Sequence, residues 1–262
     1  MIMGETIKNL HSIHFRWAMR RLNKMIFKPF VPEKNLLETW EDLKVFTEDE
    51  MKGEVEVGML VGVDKKATLA DVGKSFKLPG YNWVFVWDEF KKRCKEKSID
   101  INFQEDDKSI SDLIQNNLHR LCLLMGLDTI KNGQKVALCK MKVYPNNMFR
   151  PAYNPMVTAN SFLMSDGKYS LGWHSNCNFS KEQQDEIEDW LAHLQANNEY
   201  PWTRMGYTYD CAASEDLKVN DDTPAYIGLS EFILMPNSEV KDVKLYPENN
   251  GFWDYSSAAK DQ

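Results

Sequence analysis

The sequence lacks the motifs that identify most metal, nucleotide and membrane proteins. Its five cysteines are odd in number and include no Cys-x-x-Cys pair, which argues against a disulfide framework and a structural zinc site. It has no P-loop and no glycine-rich dinucleotide motif. No run approaches eighteen apolar residues, and the opening residues lack the apolar stretch of a secretory signal. We therefore expect a cytoplasmic protein with no transmembrane segment, no metal and no required cofactor.

A concentration of positive charge is also missing. The chain carries 39 acidic and 32 basic side chains, for a formal net charge of −7. Binding to a phosphate backbone needs concentrated lysine and arginine to displace counterions, so a nucleic-acid partner is disfavoured. The predicted first helix, residues 6–27, has a basic polar face, which we interpret as a solvated face. A protein is the expected partner.

The composition of the sequence favours a folded chain of mixed helices and strands. The 262 residues are 43% hydrophobic and 27% charged, enough apolar surface to form a sizeable core. The pattern predicts an α+β fold, with N-terminal helices and a mostly antiparallel sheet in the C-terminal half. The chain is predicted to divide into a helix-rich region 1–130, a strand-rich region 131–255 that holds the candidate site, and a tail 256–262. The two regions can also form one continuous domain.

Periodicity and turn residues predict individual elements. Apolar spacing favours helices over 6–27, 35–46 and 109–125, with Ser109 or Ser111 as the cap of the third, and a helix opening at Ser180. Alternating patterns favour strands over 54–63 and 134–143, while 83–87 suits either a strand or the start of a helix. The apolar run after Glu231 and the segment 240–246 are predicted to form a hairpin across residues 236–238.

Three polar residues of the second half occur in a suggestive order. Arg150 lies on or beside a predicted strand, Ser175 follows a Gly-Trp-His segment, and Glu231 opens an apolar strand. This order is similar to the arginine, serine-threonine-serine and glutamate arrangement of ADP-ribosyltransferases, although Ser175-Asn-Cys177 replaces the serine triplet here. The resemblance implies that Arg150 and Ser175 support NAD and that Glu231 assists transfer. That role requires Arg150 and Glu231 to face one concavity.

A second candidate site is rich in aromatic side chains. It comprises Trp202, Arg204, Tyr207, Tyr209 and Asp210. Tyrosine, tryptophan and arginine are favoured at partner surfaces because they offer large contact area with few lost rotamers. Strand alternation sends both tyrosines to one face, which forms either a binding surface or part of the core.

These patterns favour one function and leave one alternative. The first is specific recognition of another macromolecule, for instance in bacterial defence or toxin antagonism. The alternative is an ADP-ribosyltransferase-like enzyme or toxin that uses NAD with Arg150, Ser175 and Glu231.

Overall fold

The structure is a computed structural model that describes residues 43–62, 76–104, 106–127, 135–152, 155–158, 173, 178–197, 206–211, 227–247 and 253–254. Its helices are α1 (Trp87–Glu96), α2 (Asp107–Leu124) and α3 (Lys181–Asn197), and single 3-10 turns cover Glu50–Lys52 and Pro145–Asn147. Its strands are β1 (Val55–Gly62), β2 (Phe76–Lys77), β3 (Asn82–Val86), β4 (Lys135–Val143), β5 (Met148–Phe149), β6 (Tyr207–Tyr209), β7 (Ile227–Ser230), β8 (Phe232–Leu234), β9 (Glu239–Tyr246) and β10 (Trp253–Asp254). The predicted helix 6–27 and the tail 256–262 lie outside the described residues.

An antiparallel sheet organises the described part of the chain and, with the helices, confirms the α+β class. Its strand order is β2-β9-β4-β1-β3-β8-β5, and β10 also pairs with β4. The central strands β1 and β4 pair from Val55 opposite Val143 to Gly62 opposite Val136. Strands β6 and β7 form a separate two-stranded sheet. Because β1 and β3 precede residue 130, strands from both predicted regions share the main sheet.

Strand alternation gives the main sheet two buried faces. On β1, Val57, Met59 and Val61 enter one core cluster, whereas Leu60 packs against another. The first cluster also contains Phe46 and Val157, which come from outside the sheet. Full burial of each large apolar side chain contributes roughly 1.5–3 kcal/mol, so this alternation holds the register of the strands.

The opposite face carries the helices. Apolar residues of α1 and α2, among them Phe90 and Leu118, pack against Phe85 and Leu138 of the sheet. At the β8 end, Ile187 of α3 packs against Ile233 and Phe149. The helices therefore cover two separate parts of one sheet face.

Local capping explains where two helices begin. The predicted caps of α2 are wrong: Asp106 is the N-cap, and its side chain accepts hydrogen bonds from the backbone N–H groups of Lys108 and Ser109. Helix α3 begins after Ser180 as predicted. The Ser180 Oγ accepts from the Gln183 N–H at 3.3 Å, and the Gln183 side chain accepts from the Ser180 N–H at 2.9 Å, which is a capping box.

Other predictions need correction or are resolved. The ambiguous segment 83–87 forms the end of β3 and the first residue of α1. The predicted helix 35–46 is wrong at residues 43–46, which are not helical, and residues 35–42 lie outside the described set. The hairpin across 236–238 is also wrong. Although β8 and β9 are consecutive, β4, β1 and β3 lie between them in the sheet, because each strand finds its partners elsewhere in the chain.

Candidate functional site: a buried charged cluster and an open groove

Three segments meet at the guanidinium of Arg150. This side chain follows β5 and is 2% exposed. Its Nη1 donates to the carbonyl of Gly206 at 3.0 Å and its Nη2 donates to the carbonyl of Lys44 at 2.7 Å. The group also lies 4.6 Å above the ring centroid of Phe232. Arg150 therefore joins the segment before the first 3-10 turn to the segments that hold β6 and β8.

Glu231 lies in the same place, between β7 and β8. Its backbone N–H donates to the Gly206 carbonyl at 2.9 Å, so Glu231 and Arg150 share one acceptor. The carboxyl group is buried, and its Oε2 has no hydrogen-bond partner among the described residues. Burial raises the pKa of Glu231 to about 8, against the opposing effect of Arg150. Burial therefore favours the neutral form of this carboxyl group over the charged form.

Burial acts on the arginine in the opposite direction. It lowers the pKa of Arg150 to about 10, while the charges of Glu89 and Glu231 oppose the change. Arg150 remains cationic at neutral pH. Its Nε has no hydrogen-bond partner within the described part of the chain.

A second buried carboxylate completes this cluster. Glu89 of α1 accepts from the Ser230 hydroxyl at 2.8 Å and from the Ser230 N–H at 3.1 Å. The Ser230 oxygen in turn accepts from the Lys44 N–H at 2.8 Å. Burial raises the pKa of Glu89, while Arg93 and these hydrogen bonds from Ser230 oppose the change. We call Glu89, Arg93, Arg150, Ser230 and Glu231 the buried charged cluster.

Gly206 is the backbone position that Arg150 and Glu231 share. Its φ is +85°, a conformation that L side chains rarely adopt. A Cβ atom added here would overlap the Cδ of Arg150. Glycine therefore allows the backbone carbonyl to approach the guanidinium closely.

Asp210 belongs to a different set of charges at the end of β6. It is fully buried and receives two hydrogen bonds from Arg120 of α2, at 2.8 and 2.7 Å. The ammonium of Lys97 lies 3.3 Å from its Oδ2. We call Asp210, Arg120 and Lys97 the Asp210 triad. It ties β6 to α2 and to the end of α1.

Nearby hydrogen bonds hold β6 against the C-terminus of α2. The Thr208 hydroxyl donates to the Leu124 carbonyl at 2.6 Å, and the Cys211 N–H donates to the Leu123 carbonyl at 3.1 Å. The Thr208 contact satisfies a carbonyl in the last turn of α2, and the Cys211 contact is a second hydrogen bond to the Leu123 carbonyl, which also accepts from the Gly126 N–H. Tyr207 and Tyr209 lie on one face as predicted, with 0% and 2% exposure, and Thr208 is half-buried between them.

The remaining predicted site residues lie outside the described part of the chain. They are Ser175, Trp202 and Arg204. Of the predicted transferase residues, the structure brings Arg150 and Glu231 together. Of the predicted aromatic site, Tyr207, Tyr209 and Asp210 lie in the interior, where their side chains present almost no surface.

An open groove lies beside the 3-10 turns, a feature that sequence reasoning missed. Its volume is about 380 Å³. Its apolar lining side chains are buried or half-buried, and its polar lining side chains, which form the rim, are exposed. The lining residues are Glu48, Met51, Lys52, Pro145, Asn146, Met148, Pro155, Met156, Val157, Thr158, Trp173, Asn178 and Phe179.

Polar contacts support the shape of the groove. The Asn178 amide donates to the Asn146 side-chain oxygen at 2.5 Å, and the Asn146 amide donates to the Met51 carbonyl at 3.1 Å. Trp173 packs against Phe179 with ring centroids 5.4 Å apart. The groove residues are scattered from residue 48 to residue 179. The available sequence signal was the chain's content of thirteen methionines, which carries no information about their placement.

Within the described residues, no group of three or more histidine, cysteine, aspartate or glutamate side chains could hold a metal ion. None of the helices in the described ranges combines the length and apolar character needed to cross a membrane.

Comparisons with known proteins assign no relative to this chain. No protein-family model, curated protein or solved structure matches it.

Proposed function

We propose that this protein recognises a segment of a protein partner and that the groove is the recognition site. The supporting observation is the groove itself, whose apolar lining is buried or half-buried and whose polar rim is exposed. Protein interfaces have the same arrangement, with a desolvated apolar centre and a solvated polar edge. The volume of about 380 Å³ also lies within the range of small binding sites.

The side chains that line the groove suit a peptide segment. Met51, Met148 and Met156 supply a soft apolar surface that adapts to the shape of an inserted side chain. Trp173 and Phe179 supply rigid contact area with few rotamers to lose. The Asn146 and Asn178 side chains hydrogen-bond to the Met51 carbonyl and to each other, and the second N–H of each amide can pair with a peptide backbone. Bacterial defence and toxin antagonism are settings in which such recognition would operate.

A groove-blocking substitution tests this proposal. Peptides that bind the immobilised wild-type protein are selected from a displayed random library, and their affinities are measured in solution by fluorescence anisotropy. Thr158 is exposed on the rim, so Thr158→Arg fills the opening without removing a core contact. We expect it to weaken selected peptides at least tenfold.

The matched control is Gln104→Arg, a neutral-to-arginine change at an exposed position outside the groove lining. We expect it to leave affinity unchanged. The proposal fails if no peptide is selected, or if the selected peptides bind both variants as tightly as they bind the wild type.

One observation favours NAD-dependent ADP-ribosyl transfer as a second candidate function. Arg150 and Glu231, distant in the sequence, share the Gly206 carbonyl, and each keeps one buried polar atom without a hydrogen-bond partner among the described residues. Against it, both Nη atoms of Arg150 already bond to backbone carbonyls, so an NAD pyrophosphate would have to replace them. Calorimetry with NAD on the wild type and on Arg150→Lys and Glu231→Gln tests this candidate. Saturable heat that is lost in folded Arg150→Lys supports it, and no heat with the wild type removes it.

A further inference from the structure

Trp83 is a large apolar side chain that the fold leaves exposed. It is 39% exposed, although it lies in the interior strand β3 with buried Asn82 and Val84 on either side. Among the described residues, Trp83 is the one large hydrophobic side chain that is exposed. Tryptophan side chains are highly buried on average, so this indole is unusually open to a partner.

Strand pairing shows which part of the sheet carries Trp83. Trp83 pairs with Ile233 of β8, and paired residues on antiparallel strands point to the same face. Ile233 packs against Ile187 of α3, and Phe85, two residues after Trp83, packs in the cluster of α1 and α2. Trp83 therefore lies on the helix-covered face, between the two parts that the helices cover.

An acidic helix borders this position. Helix α3 contains five acidic residues and one lysine, and that lysine, Lys181, pairs with Asp185 at 2.6 Å. Glu182, Glu186 and Asp189 recur at four- and three-residue spacing, which places them on one flank of the helix. All three are exposed.

Contacts with Tyr81 show that this flank faces the Trp83 side of α3. The Tyr81 hydroxyl donates to the Glu186 carboxylate at 3.0 Å. The Tyr81 ring stacks on Trp190, with centroids 4.4 Å apart. Tyr81 precedes Trp83 by two residues and comes immediately before β3, a separation of about 7 Å in extended chain. Tyr81 therefore connects Trp83 to Glu186, and Glu182 and Asp189 lie one helical turn from Glu186 on the same flank. We call these five residues the Trp83 surface.

We propose that the Trp83 surface binds a lysine- or arginine-bearing segment of a partner protein. The indole face attracts a cation through its quadrupole, and the carboxylates of α3 provide complementary charge that steers and holds the basic segment. The same charges repel a phosphate backbone, so the partner is a protein and not a nucleic acid. This surface is separate from the groove, because no residue of the Trp83 surface lines it.

A basic peptide provides the probe. Fluorescein-labelled hexa-arginine is titrated against the full chain by fluorescence anisotropy at 50 mM and 300 mM NaCl. We expect saturable binding to the wild type, at least fivefold weaker with Trp83→Ala and less affected with Trp83→Phe, which retains an aromatic face. The double variant Glu182→Gln with Asp189→Asn should also weaken binding and reduce its dependence on salt.

Two control variants separate this proposal from others. Asp112→Asn removes an exposed carboxylate from α2 and should leave hexa-arginine affinity unchanged. Thr158→Arg blocks the groove and should retain at least half of the hexa-arginine affinity of the wild type. Binding at the Trp83 surface is therefore tested independently of binding in the groove. Thermal unfolding of each variant confirms that it is folded.

Three results would overturn the proposal. They are no saturable binding to the wild type, equal affinity for the wild type and a folded Trp83→Ala, and tighter binding of a single-stranded oligonucleotide than of hexa-arginine. Loss of binding in Asp112→Asn equal to that of the double variant would count against it too, because it would show a response to net charge alone.

Discussion

Asp210 and Glu231 are both buried carboxyl groups and lie at opposite ends of the two-stranded sheet β6-β7, yet the protein compensates them differently. Asp210 receives two hydrogen bonds from Arg120 and a further ion pair from Lys97. Glu231 has the charge of Arg150 nearby, but its Oε2 lacks a hydrogen-bond partner in the described part of the chain. Burial raises the pKa of Glu231 to about 8.

The two sites differ in how completely hydrogen bonds and opposite charges compensate a buried carboxyl group. Attraction to its partners offsets the desolvation free energy of a buried ion when the partners have good geometry and hydrogen bonds satisfy its remaining lone pairs. Asp210 meets both conditions and joins α2 to β6. Glu231 meets neither in full, and burial raises its pKa. The first arrangement suits a structural anchor, whereas the second leaves a titratable group in the interior.

The largest loss of stability is expected when Asp210 loses its charge. Asp210→Asn removes the charge that pairs with Arg120 and Lys97, and Lys97 is itself almost fully buried. Removal of one member of a buried ion pair leaves uncompensated charge, so we expect a loss of about 3–5 kcal/mol in the free energy of unfolding. Urea unfolding at pH 7 measures it. Asp112→Asn on the exposed side of α2 is the control and should change stability by less than about 0.5 kcal/mol. Equal losses in the two variants would refute the structural role of the Asp210 triad.

A smaller effect is expected where the backbone approaches Arg150. Gly206→Ala places a side chain at φ +85° and against the Cδ of Arg150, so we expect a loss of roughly 2–3 kcal/mol. Gly80 is a matched control, because its φ is +68° and a Cβ there would meet open space. Gly80→Ala should cost about 1–2 kcal/mol from backbone strain alone. Chemical denaturation of both variants gives the difference. A cost for Gly206→Ala no greater than that for Gly80→Ala would show that Arg150 does not occupy the space beside Gly206.

The stability of the protein is expected to depend on pH through Glu231. Its folded-state pKa, about 8, lies above the usual glutamate value of 4.5, so the folded state keeps a proton that the unfolded state releases between these values. The wild type therefore loses up to about 1.4 kcal/mol of stability per pH unit from this group as pH rises from about 5 to 8. Glu231→Gln removes this dependence, so the variant should gain stability relative to the wild type over that range.

Thermal and urea unfolding at pH 5.5, 7 and 8 measure the difference between wild type and Glu231→Gln. Glu188→Gln, an exposed change on α3, serves as the control and should follow the wild type at every pH. A wild-type minus variant difference that stays constant from pH 5.5 to 8 would mean that Glu231 is ionised throughout.

Local patterns were enough to predict several elements. The apolar spacing of α2 and the alternation of β1 and β4 predicted these elements with bounds that differ by at most two residues. The cap of α2 was wrong because Asp106, Ser109 and Ser111 are all suitable cap residues, and sequence does not say which side chain reaches the free N–H groups. The β8-β9 hairpin was wrong for a related reason. A short turn favours pairing of its flanking strands, but here each strand pairs with distant partners that offer better packing.

The candidate sites were less accessible from sequence. The order of Arg150 and Glu231 identified two residues that the structure brings together, but not the Gly206 carbonyl that they share. The groove draws on segments between residues 48 and 179, and no local pattern marks them. Trp83 lies in an apolar run that predicts burial, and only the separation of α3 from α1 and α2 on the sheet leaves it exposed.

The sequence by itself determined the α+β class and the positions of the main helices and strands, because hydrophobic periodicity and capping act over a few residues. Tertiary structure decided the order of the strands, the burial of Tyr207 and Tyr209, the compensation of Asp210 and the groove. Each of these depends on contacts between residues far apart in the chain. The free energy of burying a charge or exposing a tryptophan is set by those distant neighbours, and a linear pattern does not contain them.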